Sequence, residues 1–393
     1  MLSRPNDSEK RLNVLFLAGW YPTLAHPVGG VFVREHAKAV SLYDNVVVVA
    51  SGGSDHNPHG LWRVSREEDD ALSAGIRTYR VNIGRPIVPK TGSLIEIGAS
   101  LDAFRRVRRD GFHPDIIHAH VFGAGFIAAL LKWLYGLPYV VTEHWSGFPR
   151  GLVRGVTLAR ANVAFRNARY VLPVSKILGR AIRDLGIRTP FEVIPNAVDL
   201  SLFHPPSSLT RSPEPIRLLF VGLLSPDHIK GVPHLLQALG GLTGDFPPWR
   251  LDIIGGGDAQ GEYESLAARL GLRDRVVFHG YQPKSFVAEQ MRNSDLFVLP
   301  SLWENLPCVA IEALASGLPV LSTRVGGIPE LVSSENGLLV APGDTQGLQR
   351  GLAELVGSLR RYDRTRIAKD AHRYSHASVG AAIHRVYLRS IGA

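Results

Sequence analysis

Cysteine is nearly absent from this chain: Cys308 is the single one in 393 residues. A lone thiol closes no disulfide within the chain and cannot by itself hold zinc, so a reducing compartment is expected. Long apolar runs are missing as well. The longest, Val121 to Leu131, stops at Lys132, well short of the roughly 20 residues a membrane span needs. The start, MLSRPNDSEKRLNVLFLAGW, is polar and passes straight into a strand-like run without a small-residue cleavage site, so no signal peptide is expected. There is no heptad run, short internal repeat, P-loop or metalloprotease signature. Gly255-Gly256-Gly257 follows a strand-like segment but lacks the G-x-G-x-x-G spacing, which argues against nicotinamide binding.

What is present is 45% apolar residues, with 40 glycines and 26 prolines in no fixed period, the composition of a globular protein rich in turns. The length suits two domains. The formal net charge is +9, with arginine concentrated at Arg105, Arg106, Arg108 and Arg109 and again from Arg150 through Arg169. Such a bias suits nucleic acid, an anionic membrane surface or a phosphorylated substrate. Nucleic acid is disfavoured, because interleaved aromatics and known motifs are lacking.

Short β-branched runs alternate with longer helical patterns. Strands are expected at Asn13–Ala18, Asn45–Ala50, Ile76–Val81, Asp115–His118, Tyr139–Thr142, Tyr170–Val174 and Glu192–Ile194, with crossover helices between them. The Pro- and Ser-rich stretch FHPPSSLTRSPEP reads as a connection, placing a boundary near Pro205 to Pro215. The rhythm then restarts, with strands at Ile216–Val221, Leu251–Ile254, Val276–His279, Leu296–Leu299, Pro319–Ser322 and Leu338–Val340. Two successive doubly wound parallel α/β domains are expected, with ligands at the carboxyl ends of the strands and a cleft between facing domains.

The stretch WENLPCVAIEA, from Trp303 to Ala313, sets Glu304 and Glu312 eight positions apart. Glu304 falls on a loop after a strand; Pro307 falls where a starting helix tolerates proline, and Glu312 about one turn inside that helix, which Gly317 stops. The helix start is suited to a diphosphate. An ordinary loop acid and an arginine-paired glutamate are the bland alternative.

The segment from Ser301 through Glu330, followed by NGLLVAPGD, resembles the carboxyl-terminal signature of the family-4 glycosyltransferases, which have the GT-B fold. It carries the E-x7-E pair, the Gly-Leu-Pro-Val strand entry, the Gly-Gly-x-x-Glu turn and the Gly-x-Leu-Val-x-Pro-Gly-Asp run. VIPNAVDLSLF, GWYPTLAHPVGGVFVREHA, DIIHAH and VTEHWSGF extend the likeness over essentially the whole chain. The resemblance implies two Rossmann-like doubly wound parallel-sheet domains facing across a cleft: residues 1–205 binding acceptor, 206–375 binding nucleotide sugar, and a helix in 376–393 crossing back.

The resemblance further implies that Glu312 holds the ribose hydroxyls of a nucleotide and Glu304 the transferred sugar near its C3 hydroxyl; a carboxylate accepts two hydrogen bonds from a vicinal diol. Backbone around Asn305, Leu306, Pro307, Cys308 and Val309 would meet diphosphate and sugar. Asn305 to Pro307 departs from the commoner Glu-Gly-Phe-Gly, which bears on sugar identity. Gly29 and Gly30 would admit the β-phosphate and acceptor, since a side chain would block the approach. His144 aligns with the family's active-site histidine, with Glu143 a lesser candidate. His118 and His120 have the spacing of a metal pair, but no accompanying set completes a hydrolase metal site; the readings kept are structural and acceptor-lining. Lys230 would clamp the diphosphate. Leu223 or Leu224 occupies the position of a second clamping arginine, so stabilisation falls to Lys230, the helix amides, and Arg324 or His228.

The implied reaction is metal-independent hexosyl transfer with retained anomeric configuration, needing no cofactor beyond the nucleotide-diphosphate sugar as co-substrate, UDP- or GDP-linked. The acceptor would be a glycan, a lipid-linked glycan or a small molecule, in cell-surface polysaccharide or glycolipid synthesis. The alternatives are a nucleotide-sugar epimerase or phosphorylase of the same architecture and a non-catalytic sugar-nucleotide-binding subunit. Arg150 to Arg169 and Leu94 to Arg109 read either as solvated basic faces or as docking surfaces for an anionic membrane. The expected location is cytoplasmic, peripheral to the inner membrane face.

Overall fold

The computed structural model describes residues 11–51, 61–67, 70–84, 92–207, 215–244 and 246–392. It divides the chain into two compact units, 1–197 with 376–393, and 198–375. Part of the expected connection, 208–214, lies outside the described residues.

The first unit runs β1 (Asn13–Ala18), α1 (Val31–Ser41), β2 (Asn45–Ser51), β3 (Trp62–Arg66), α2 (Asp70–Ser73), β4 (Thr78–Ile83), α3 (Gly92–Arg109), β5 (Ile116–His120), α4 (Val121–Tyr135), β6 (Tyr139–Glu143), α5 (Gly155–Arg166), β7 (Tyr170–Pro173) and α6 (Lys176–Arg183). The second runs β8 (Ile216–Val221), α7 (Val232–Gly240), β9 (Trp249–Ile254), α8 (Gln260–Arg269), β10 (Val276–Phe278), α9 (Lys284–Asn293), β11 (Leu296–Leu299), α10 (Cys308–Ala315), β12 (Val320–Thr323), α11 (Ile328–Leu331), β13 (Gly337–Val340), α12 (Thr345–Gly357) and α13 (Arg364–Ala371). The last helix, α14 (His376–Ile391), belongs to the first unit and packs on α1.

The first sheet is ordered β3-β4-β2-β1-β5-β6-β7 and the second β10-β9-β8-β11-β12-β13. Without edge strand β3, each has the Rossmann order, in which the chain reverses its direction of winding beside the first strand. That switch point lies between β1 and β5 in one unit and between β8 and β11 in the other. The strands there are buried on both faces, which is why they read as unbroken apolar runs, LLFV and LFVL, rather than alternating. Helix starts are fixed locally. Ser175 accepts a hydrogen bond from the Leu178 amide at the start of α6, and Asp344 from that of Gly347 at the start of α12.

Two expectations fail at the edges of the first sheet. β3 pairs antiparallel with β4, a strand the apolar rhythm does not show, because WRVSR is half-exposed and polar. Glu192–Ile194 is no strand: Glu192 N–H reaches Val171 O and Ile194 N–H reaches Pro173 O, but Pro173 has no N–H to return a bond to Glu192 O, so the ladder stops at the single bridge of Phe191 to Val171.

Candidate functional site

Polar groups gather at the carboxyl end of each sheet, beside each switch point. In the second unit the loop after β8 carries Lys230 and the loop after β11 carries Glu304. Lys230 Nζ lies 2.6 Å from Glu304 Oε1, and the Ser301 hydroxyl donates to the same oxygen at 2.8 Å. Glu304 is only 8% exposed, so these two donors replace most of its water. The loops are tied by backbone, Leu302 N–H to Ile229 O at 2.7 Å. The Gly-Gly turn has a steric reason. Gly326 has φ +50°, and a Cβ there would sit 1.8 Å from the carbonyl oxygen of Glu304; the next amide, Gly327 N–H, donates to Asn305 O at 2.7 Å.

Helix α10 opens directly after this loop, with Pro307 as its N-cap residue, so the positive end of its dipole is at the switch point. Leu306 and Pro307 are buried, while Cys308 and Val309 are partly exposed on the first turn. Glu312, further along the helix, is 6% exposed and forms an ion pair of 3.1 Å with Lys284 Nζ. Both carboxylates of the E-x7-E pair are therefore matched by a lysine, neither by an arginine. Lys284 escaped the sequence reading: it opens an ordinary amphipathic helix, α9, and nothing in its neighbourhood marks it.

Of the two leucines at the expected arginine position, Leu223 is 47% exposed and Leu224 is buried in the core. Leu223 is thus the residue a cation would replace. His228 Nδ1 meets the Tyr263 hydroxyl at 2.9 Å, and Arg324 lines a cavity of about 550 Å³ with Glu335, Arg361, Tyr362 and Arg366.

In the first unit, the loop after β1 leads through Gly29 to Gly30, whose φ of +68° starts α1. A Cβ on Gly30 would lie 2.4 Å from the carbonyl carbon of Trp20, so only glycine lets α1 begin against that backbone. Behind this turn four imidazoles collect: His36 from α1, His118 and His120 from β5, and His144 just after β6. His120 Nδ1 and His144 Nε2 share a hydrogen bond of 3.1 Å, and the Phe32 ring packs 4.3 Å from that of His144. His36 Nε2 lies 3.1 Å from Pro195 O. Burial drives these rings towards the neutral form, with His36 lowered to about 4 and His118, His120 and His144 well below the ordinary value.

His118 is fully buried, with Nδ1 on the Tyr387 hydroxyl at 2.5 Å and Nε2 on Thr142 Oγ1 at 2.6 Å. Both ring nitrogens are used within the unit, which fits the structural of its two readings. Glu143 is also fully buried. Its carboxyl accepts from the amides of Phe122, His144 and Trp145, each at 2.9 Å, and burial raises it to about 7 against those bonds. It shapes the turn that presents His144. Val121, just after His120, is held at φ +70°, a conformation that costs a β-branched residue about 1–3 kcal/mol and that the surrounding packing imposes.

Two consecutive units of Rossmann order, each with polar groups at its switch point, make up the GT-B architecture. Residues 206–372 match the family model described as Glycosyl transferases group 1, and residues 30–202 that of Glycosyltransferase Family 4. The chain is 30% identical over 307 residues to D-inositol 3-phosphate glycosyltransferase 2 of Catenulispora acidiphila, the match covering 70% of this chain and 71% of that one. It is 29% identical over 285 residues to the D-inositol 3-phosphate glycosyltransferase of Segniliparus rotundus, over 66% of this chain and 62%, less than two thirds, of the relative. Its fold matches that of Anabaena HepE in complex with UDP-glucose with a TM-score of 0.72 at 20% identity, over 96% of this chain and 100% of that one. The chain belongs to the family-4 glycosyltransferases. Among the described residues, no helix is long and apolar enough to cross a membrane.

Proposed function

We propose that this glycosyltransferase moves a hexosyl group from a nucleotide-diphosphate sugar to an acceptor hydroxyl with retention of configuration, without a metal ion on the diphosphate. The observation that carries this reading is the pair Glu304 and Glu312, each nearly buried at the switch-point end of one sheet and each matched by its own lysine. A buried carboxylate with one cationic partner keeps lone pairs for hydroxyl donors, so Glu312 serves a ribose and Glu304 a sugar. Lys230 supplies the positive charge that the departing diphosphate needs, aided by the dipole of α10. The bond from the anomeric carbon to the diphosphate oxygen breaks as the acceptor oxygen bonds to that carbon on the same face, and the acceptor's proton passes to the leaving phosphate oxygen. His144, held neutral, suits a hydrogen bond to a sugar hydroxyl rather than charge neutralisation. The UDP-glucose of Anabaena HepE favours a UDP-sugar donor, and the inositol phosphate in the names of the relatives is compatible with a small polyol acceptor beside the glycan and lipid-linked ones.

The test is a thermal-shift and nucleotide-release panel of UDP-, GDP-, ADP- and dTDP-sugars. One nucleotide family stabilises the wild type and is slowly released from its sugar, and Glu312→Ala weakens that binding by at least about 100-fold, the scale of two hydrogen bonds to a charged group. Absence of any shift sinks the donor-site reading. A shift without release, even with acceptors supplied, favours a non-catalytic binding subunit, the outcome to which Leu223 in place of a cation points.

A peripheral membrane location rests on the surface of the first unit. Leu94, Trp133, Leu134, Leu152 and Val156 are exposed there, together with Arg105, Arg106, Arg109 and Arg154, the mixture that binds anionic interfaces. Flotation with anionic but not neutral liposomes is expected; binding to neither overturns it.

A further inference from the structure

We propose that His36, His120 and His144 form a binding site for one divalent transition-metal ion, Zn²⁺ first among them, within the first unit. Each ring offers one nitrogen, and the three nitrogens lie within 4.8 Å of one another. Two of the rings are already in contact, His120 Nδ1 lying 3.1 Å from His144 Nε2. Two nitrogens at zinc's bonding distance in a tetrahedral set are about 3.3 Å apart, so that pair is already spaced for a shared ion. Small ring rotations bring in the third: the farthest pair closes by no more than about 1.5 Å.

The protonation pattern fits as well as the spacing. Pro195 O can only accept, so the His36 proton is on Nε2, and in the neutral ring Nδ1 carries the lone pair. That Nδ1 is buried and has no hydrogen-bond partner, and His120 Nε2 is buried and unpartnered too. A backbone carbonyl that fixes one ring nitrogen while the other turns to an ion is the usual outer-shell arrangement of a metal-binding histidine. His118 gives further support. With both nitrogens used it is no ligand, but it stacks on His120 at 4.4 Å and locks that ring's plane. Whichever ring donates in the 3.1 Å bond, binding needs only that its proton move to its other nitrogen, so that both lone pairs face one ion; no net proton is released from the three neutral rings. Three imidazoles leave a fourth position for water or an anionic oxygen. The ligands are nitrogen throughout, which selects zinc, nickel or copper over magnesium.

The experiment uses the full-length chain stripped with chelator, titrated with Zn²⁺ against a chromophoric competitor and separately with Co²⁺ as a visible probe. We expect one Zn²⁺ per chain and the absorption bands of four-coordinate Co²⁺. His36→Gln, checked for folding by circular dichroism, weakens binding by at least about 100-fold, the upper end of what outer-shell losses alone cost. His384→Gln, in the pair with Asp44, leaves binding unchanged. Should His36→Gln fail to fold, histidine ¹⁵N NMR of the wild type decides: Zn²⁺ must shift His36 Nδ1 while its Nε2 proton persists. Absence of stoichiometric binding, binding unchanged by His36→Gln, or an unshifted His36 overturns the site. These readouts stand whether or not the chain transfers sugar.

Discussion

The two units share one strand order and place their polar groups at the same topological point, yet they fill that point with opposite chemistry. The first unit gathers buried neutral imidazoles, His36, His118, His120 and His144, with no ion pair among them. The second gathers charge, in the pairs Lys230–Glu304 and Lys284–Glu312. The lesson is that the fold specifies a location and the loops specify what is done there. Charge suits a diphosphate, whose negative charge grows as its bond to sugar breaks. Neutral imidazoles suit a hydroxyl or a metal ion, each of which needs a lone pair or a proton in a fixed direction rather than a countercharge.

The comparison is broken most forcefully by removing charge from the second unit. Lys230→Met takes away the cation on the Glu304 carboxylate and leaves the Ser301 hydroxyl bonded to it. Turnover is expected to fall by about 10²–10³-fold, the range for deleting a transition-state charge donor, measured as nucleotide release; a loss below tenfold would mean that the lysine is structural. The next test concerns the first unit. With metal chelated, acid should open it. The unfolded chain protonates His36 near the ordinary 6.5 and the folded chain only at about 4, so stability present above pH 6.5 is lost as pH falls towards 4. This one ring accounts for about 3 kcal/mol. Hydrogen exchange across that range should show peptides of residues 11–51 and 116–144 opening before those of 216–323, and His36→Gln should flatten the trend. The smallest effect sharpens the contrast instead: Leu223→Arg adds an exposed cation on the loop after β8. A gain of about two- to fivefold in turnover is expected, the scale of one solvent-screened charge interaction; no gain would show that α10 and Lys230 already suffice.

Much of this was legible in the chain. The strands at the switch points are continuous apolar runs, and the expected Asn13–Ala18, Ile216–Val221 and Leu296–Leu299 recur with the same bounds. The E-x7-E spacing placed one glutamate on a loop and the other inside a helix, where they are found. Illegible were the partners. Lys284 meets Glu312 from the start of another helix, and His36 joins His120 and His144 from a helix whose periodicity marks only its packing face. Edge strand β3 carried no apolar signal because half of it faces water. His118 and His120 looked alike in the sequence, two residues apart on one face of a strand, and only Thr142 and Tyr387 separate them by occupying both nitrogens of one ring.

The sequence by itself determined the periodic elements, the glycine turns and the family, because each is encoded in residues close together along the chain. The tertiary structure decided which lysine neutralises which glutamate, which histidine is structural and which rings converge. Those outcomes depend on distances between residues far apart in the chain, and on burial, which removes the water that would otherwise satisfy each polar group and so makes its partner decisive.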